Sequence, residues 1–176
     1  MENLIRKTSG FEVSGALRNL IGESVVDRAY PSAPVCAVGG VIFRGNQVLL
    51  VKRSQAPAKG NWSIPGGVVH LGETLEEAVQ RELFEEIQVV VRPIQVGKVL
   101  DRIFRDSSGK ILFHYIIIDY VCEILSGVVQ SASDAADAGY FDIRLLENLD
   151  MTEGTAEMIR EIYRAITNHS KGSELS

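Results

Sequence analysis

Between Gly67 and Val89 the chain reads GVVHLGETLEEAVQRELFEEIQV, with three carboxylates, Glu82, Glu85 and Glu86, close together near its end. On a helix of ~3.6 residues per turn, Glu82 and Glu86 stand one turn apart. Both lie inside the arc that also carries Leu75, Ala78, Val79, Leu83 and Ile87, and Glu85 sits on its border. Acidic residues on helices ordinarily form a solvated face with partners four residues away. Glu77–Arg81 and Arg81–Glu85 fit that description, and Arg81 is expected to point toward solvent or a sheet edge. Glu82 and Glu86 have no Lys or Arg four residues away on the helix. Burying them unpaired costs on the order of several kcal/mol, and a divalent cation turns that cost into coordination. Carboxylates, a backbone carbonyl and water suit a hard, oxygen-seeking ion such as Mg²⁺ or Mn²⁺. Ahead of the helix, Gly66-Gly67 is either a plain tight turn or a loop that brings backbone close to a ligand.

The elements that must position these groups follow from local pattern. Thr74 with Glu77 three residues later is a capping-box signature, so the helix spans about residues 75–87. Residues 35–44 and 47–53 read as strands joined at Gly45-Asn46, a hairpin turn. Residues 54–61 read as loop, 62–64 as a short extended piece, and Pro65-Gly66-Gly67 as punctuation. Residues 89–105 and 111–124 are strands around the turn at 106–109, residues 127–136 a polar loop, and 139–143 a short strand. Residues 155–167 form an amphipathic helix with Met158, Ile159, Ile162 and Ile166 on one side. A further helix is expected over residues 11–29, closed by Tyr30-Pro31. Strands mixed with well-separated helices imply a mixed sheet covered on both faces.

Whole-chain properties exclude several classes. The 176 residues suit one domain, with 45% hydrophobic and 23% charged content typical of a globular protein. A net charge of −5 argues against a nucleic-acid polymer, which needs a basic surface. Cys36 and Cys122 lack metal or redox spacing and read as buried free thiols in a reducing compartment. With no signal peptide and no membrane-length apolar stretch, a cytoplasmic protein with no membrane partner is expected.

The 67–89 run resembles the Nudix box, Gly-x5-Glu-x7-Arg-Glu-U-x-Glu-Glu-x-Gly-U with U apolar. Gly67, Glu73, Arg81, Glu82, Leu83, Glu85, Glu86 and Val89 match in order and spacing, and Gln88 replaces the second Gly. That Gly stands where a left-handed backbone is easiest, so Gln88 is expected to cost about 1 kcal/mol or to change the helix end. The resemblance covers residues 34–168, leaving 1–33 as an N-terminal extension and 169–176 as a tail. It implies an α/β/α sandwich with a mixed sheet and Mg²⁺-dependent hydrolysis of a nucleoside diphosphate linked to a group X.

Carried over by position, the resemblance makes Glu82, Glu85 and Glu86, with the Gly67 carbonyl, the metal ligands. Arg81 orients the glutamates and Glu73 braces the loop–helix junction. The general base is a box glutamate, Glu82 or Glu85, or an acid of the later 133–141 loop, where Asp134 is the candidate and Asp137 a brace. Asp134 is alternatively an ordinary loop acid. Arg53 meets a phosphate or forms a surface ion pair, and Trp62 stacks on a base or closes the core. One of His114 and Tyr115 faces the ligand, with Tyr115 the candidate. The likeness leans toward the ADP-ribose pyrophosphatase branch, hence a small-molecule nucleotide such as ADP-ribose or a nucleotide sugar. The alternatives are a nucleoside triphosphate pyrophosphatase acting on oxidised nucleotides and a non-catalytic ligand sensor. The extension and exposed strands would suit a homodimer.

Overall fold

The β-branched runs of the chain form strands as expected, but they divide between two sheets. The computed structural model describes residues 28–54, 58–132 and 135–172. The helix expected over 11–29 falls almost wholly outside the described residues, as does Asp134. One sheet has the order β5-β1-β7-β6, from β5 (Gly66–Val68), β1 (Val35–Val41), β7 (Ile111–Gly127) and β6 (Val89–Arg105). It is mixed: β1 runs parallel to β7, while β1 with β5 and β6 with β7 are antiparallel. The second sheet holds β2 (Phe43–Arg44), β3 (Gln47–Arg53) and β4 (Trp62–Ser63), with β8 (Ala135–Asp142) paired to β3.

The hairpin expected over 35–53 is therefore only its tip, Phe43 opposite Val48 and Arg44 opposite Gln47. At Ile42 the chain leaves one sheet and enters the other, because β1 finds its partners in β7 and β5 instead of β3. Two further departures are extensions of pairing. Gly66–Val68, read as punctuation, is a strand on the edge of β1, and β8 begins at Ala135 within the expected loop. A 3-10 segment, Ile143–Asn148, was not anticipated.

Alternation along the strands separates two cores. Val38, Ile42, Leu49 and Val51 pack with Ala78, Val79, Leu83 and Ile87 of α1 (Leu75–Ile87). Val41, Val48 and Leu50 pack with Met158, Ile159 and Ile162 of α2 (Thr155–Gly172). Helices thus cover both faces of the strands, the sandwich expected from the sequence. Cys122 is buried, which pushes its thiol up to about 12. Cys36 departs from expectation: it is exposed, at the second position of β1 and outside the buried run 37–41. Among the described residues no helix is long and apolar enough to cross a membrane.

The helix α1 starts and stops on its own chemistry. The Thr74 hydroxyl accepts from the Glu77 backbone N–H, and Glu77 accepts from Thr74. At the other end Gln88 adopts the left-handed conformation at φ 58°, its backbone and side-chain N–H groups both donating to the Phe84 carbonyl. The missing box glycine therefore changes the residue but not the way the helix ends. Gln88→Gly should raise stability by up to about 1 kcal/mol in urea unfolding, the side-chain bond offsetting part of the gain. Gln88→Val, β-branched at positive φ, should lower it by about 1 kcal/mol or more.

Candidate functional site

The glycine pair and α1 face each other across a narrow gap that only small backbone allows. Gly66 has φ 152°, and a Cβ there would overlap the Val38 carbonyl. A Cβ on Gly67 would overlap the Glu82 carboxylate. The Gly66 N–H donates to Glu86 Oε2 at 2.9 Å, tying strand to helix. Glu82 and Glu86 are half-buried, and Glu85 is the most exposed of the three.

Arg81 connects most of this site. Its Nε and one terminal nitrogen grip Glu73 at 2.7 and 3.0 Å, and that same terminal nitrogen donates to the Val68 carbonyl at 3.0 Å. The other terminal nitrogen donates to Glu82 at 2.8 Å and to Glu85 at 3.3 Å. This corrects two sequence expectations. Arg81 does not point to solvent or a sheet edge, and Glu77 is engaged by the cap instead of pairing with Arg81. Adjacent placement lets Arg81 curl back over the turn, so Glu82 gains a cation that four-residue spacing did not offer. The guanidinium bond holds the Glu73 carboxyl down to about 2, with the His70 N–H adding to it. Burial raises the Glu82 carboxyl above its ordinary value, and Arg81 opposes that shift.

Among the described residues no three acidic, His or Cys side chains come together closely enough to hold a metal ion as they stand. Glu82 and Glu85 share the Arg81 guanidinium, and Glu86 accepts from the Gly66 N–H. The fit to a hard cation is nonetheless good. The donors are all oxygens, the Glu82 carboxylate lies directly against the Gly67 backbone, and Glu82 is a desolvated acid that a cation would compensate.

These groups line one side of a cavity of about 340 Å³, the size range of small-molecule sites. Arg28, Arg53 and Arg102 also line it, so one cavity holds both acids and cations. Arg53 thus lies at the cavity, at the end of β3. Tyr115 lines the cavity and His114 does not, as strand alternation requires; burial raises the Tyr115 hydroxyl. Trp62 is placed differently from a substrate contact. It packs edge-on to Phe141 at 4.6 Å in the α2-side core, outside the cavity lining.

Sequence reasoning missed Asp119. It is 1% exposed at the middle of β7 and lines the cavity, and burial raises its carboxyl to about 7 while Arg102 opposes this. The available signal was a lone acid in the apolar run from Ile116 to Cys122.

A family model for the NUDIX domain matches residues 34–162. The chain belongs to the Nudix hydrolase family. Nudix hydrolases generally use divalent metals. Among curated relatives, the ADP-ribose pyrophosphatase of Methanocaldococcus jannaschii is 37% identical over 116 residues, covering 66% of this chain and 66% of that protein. The NAD-capped RNA hydrolase NudC of Chromobacterium violaceum is 33% identical over 112 residues, covering 63% of this chain and 39% of that one. The Nudix domain thus spans at most about two thirds of these relatives. The crystal structure of the MutT NUDIX hydrolase from Burkholderia pseudomallei superposes with a TM-score of 0.63 at 26% identity, covering 74% of this chain and 98% of that one.

The Asp119 shift carries a pH dependence whose sign is fixed. Its carboxyl ionises near 3.8 when exposed and near 7 when folded, so its contribution to stability is full below about 3.8 and is lost as pH rises to 7. Asp119→Asn should therefore gain on wild type between pH 4 and 7, by up to about 4 kcal/mol in urea unfolding. Parallel curves for the two proteins would show that Asp119 does not titrate in this window.

Proposed function

We propose that this Nudix domain is a Mg²⁺-dependent pyrophosphohydrolase that cleaves a nucleoside diphosphate linked to X, with ADP-ribose or a nucleotide sugar as substrate. The observation that carries the reading is the presence of an oxygen-only acidic set on α1 and of cationic side chains in the lining of one cavity. A diphosphate needs both: cations to hold its oxygens and a site that supplies an attacking water. Both curated relatives described above are named for substrates that contain an adenosine diphosphate unit, which supports an ADP-X substrate. All four box glutamates are present, which favours catalysis over a purely sensing role.

In this reading Glu82, Glu85, Glu86 and the Gly67 carbonyl hold the metal, which when bound neutralises diphosphate charge and lowers the pKa of water. Arg81 keeps Glu82 against Gly67 and holds Glu85 beside it, and Glu73 fixes Arg81 in turn. Arg53 and Arg28 meet the phosphate oxygens, and Tyr115 borders the bound substrate. Water attacks one phosphorus, the bridging P–O bond breaks, and its electron pair leaves with the other phosphate, giving two monophosphates. The released proton passes to a carboxylate. Glu85 is the base of choice among the described residues, because it is the most exposed of the three and its bond to Arg81 is long. Asp134, outside the described residues, is the other candidate. A cytoplasmic location fits the free thiols. The exposed Val90, Ile94, Val96, Val99 and Ile103 on edge strand β6 support a homodimer.

Three outcomes test this function. Purified protein should release AMP and ribose 5-phosphate from ADP-ribose with Mg²⁺, and chelation should abolish release; if no member of an ADP-ribose, nucleotide-sugar and oxidised-dNTP panel is hydrolysed, the catalytic reading fails. Glu85→Gln should lower kcat by about 10²-fold or more with an unchanged melting temperature. Gly67→Ala, whose Cβ would displace Glu82, should cut kcat by a comparable factor and weaken the Mg²⁺ requirement curve.

A further inference from the structure

Away from the glutamates, the cavity holds two polar atoms that no described residue bonds. Asp119 Oδ1 and Ser63 Oγ are buried and have no hydrogen-bond partner among the described residues. Both residues line the cavity and are almost fully enclosed, at 1% and 7% exposure. Buried polar atoms are nearly always satisfied, so two unmet atoms in one cavity call for a ligand that satisfies them. Arg102 does not serve Asp119 as a bonded partner; its guanidinium donates to the Glu153 carbonyl at 2.9 Å.

The space around the carboxyl is set by the opposite strand. Gly39 lies beside Asp119 in the β1–β7 register, and a Cβ on Gly39 would overlap Asp119 Oδ1 and stand 2.7 Å from Ile64 Cδ1. Any residue other than glycine would collide with that oxygen, so Gly39 gives the carboxyl its place at the cavity. Ile64, Leu100 and Met158 line the cavity with apolar surface. Apolar walls with a few fixed polar atoms suit a flat heterocycle better than a sugar, whose many hydroxyls would need many partners.

We propose that this part of the cavity receives the nucleobase, with Asp119 Oδ1 accepting a hydrogen bond from the exocyclic amino group of adenine and Ser63 Oγ giving the same base a second polar contact. The proposal rests on the ADP-X reading above and adds to it the residue that selects the base. A carboxyl oxygen accepts from an amino group whether or not the acid is protonated. A site built to bond an N–H rejects the analogue that lacks it, because the oxygen is then left unmet beside an apolar ring. Uracil has no exocyclic amino group, so ADP-linked substrates should be preferred to UDP-linked ones.

The test compares binding of ADP with that of its 6-desamino analogue, purine riboside diphosphate, by calorimetry, alongside turnover of ADP-ribose. Wild type should bind ADP about tenfold or more tightly than the analogue. Asp119→Ala should bind both at the analogue's affinity. The variant should melt no lower than wild type, since it removes an oxygen the fold leaves unpartnered. Equal affinities in wild type overturn the proposal, and this needs no variant. An unchanged ratio in Asp119→Ala also overturns it, and a large fall in Tm alongside assigns the side chain to structure. Discrimination without turnover of any member of the substrate panel above would sink the hydrolase reading and leave the base contact standing. Turnover without discrimination would do the reverse.

Discussion

The site depends on one guanidinium. Arg81 stands in the middle of α1 with Glu73 before the helix, Glu82 and Glu85 on it, and the Val68 carbonyl of the facing strand all within its reach. A single rigid fork therefore sets the separation of strand β5 from helix α1 and the direction of two carboxylates. Lysine, a flexible point charge, could satisfy one or two of these partners and not the whole set. The arrangement also gives each of the three acids on this helix a donor within the protein. The repulsion among them is carried by Arg81 and the Gly66 N–H.

The cavity sits where the two cores part. Strands β1 and β7 supply Gly39 and Asp119, β4 supplies Ser63, the segment leading into α2 supplies Thr152, and the first residue of α2 is Thr155. Apolar residues of the same strands serve the α1 core on one face and the α2 core on the other. A carboxyl kept at this junction lowers stability at neutral pH, and its Oδ1 has no hydrogen-bond partner among the described residues. That combination is what a binding residue looks like in energetic terms, since stability and ligand affinity pull in opposite directions at such a position.

What the sequence disclosed, and what it did not, follows the range of the interactions concerned. The bounds of α1, its cap at Thr74 and the long hairpin about residues 106–109 are set within a few residues, and periodicity and turn chemistry expose them. The left-handed position at Gln88 was implied by the Nudix-box resemblance. The division of residues 35–53 between two sheets depends on β1 choosing β7, some eighty positions away, and no local pattern records that choice. Trp62 likewise has its place decided by Phe141 and the Asp150–Thr152 backbone. The box glutamates were visible because their charges contradict the helix face that carries them. Asp119 contradicts its strand in the same way, but a single acid among isoleucines carries no spacing to interpret.

The two helix ends described at Thr74 and Gln88 have a consequence for the phase of the helix. An α-helix turned by one residue rotates every side chain by ~100°, which would swing Glu82, Glu85 and Glu86 away from Gly67 together. With a reciprocal cap at one end and a left-handed stop at the other, α1 has no slack in which to slip. The rotational setting of the carboxylates is thereby written into residues that never approach the substrate.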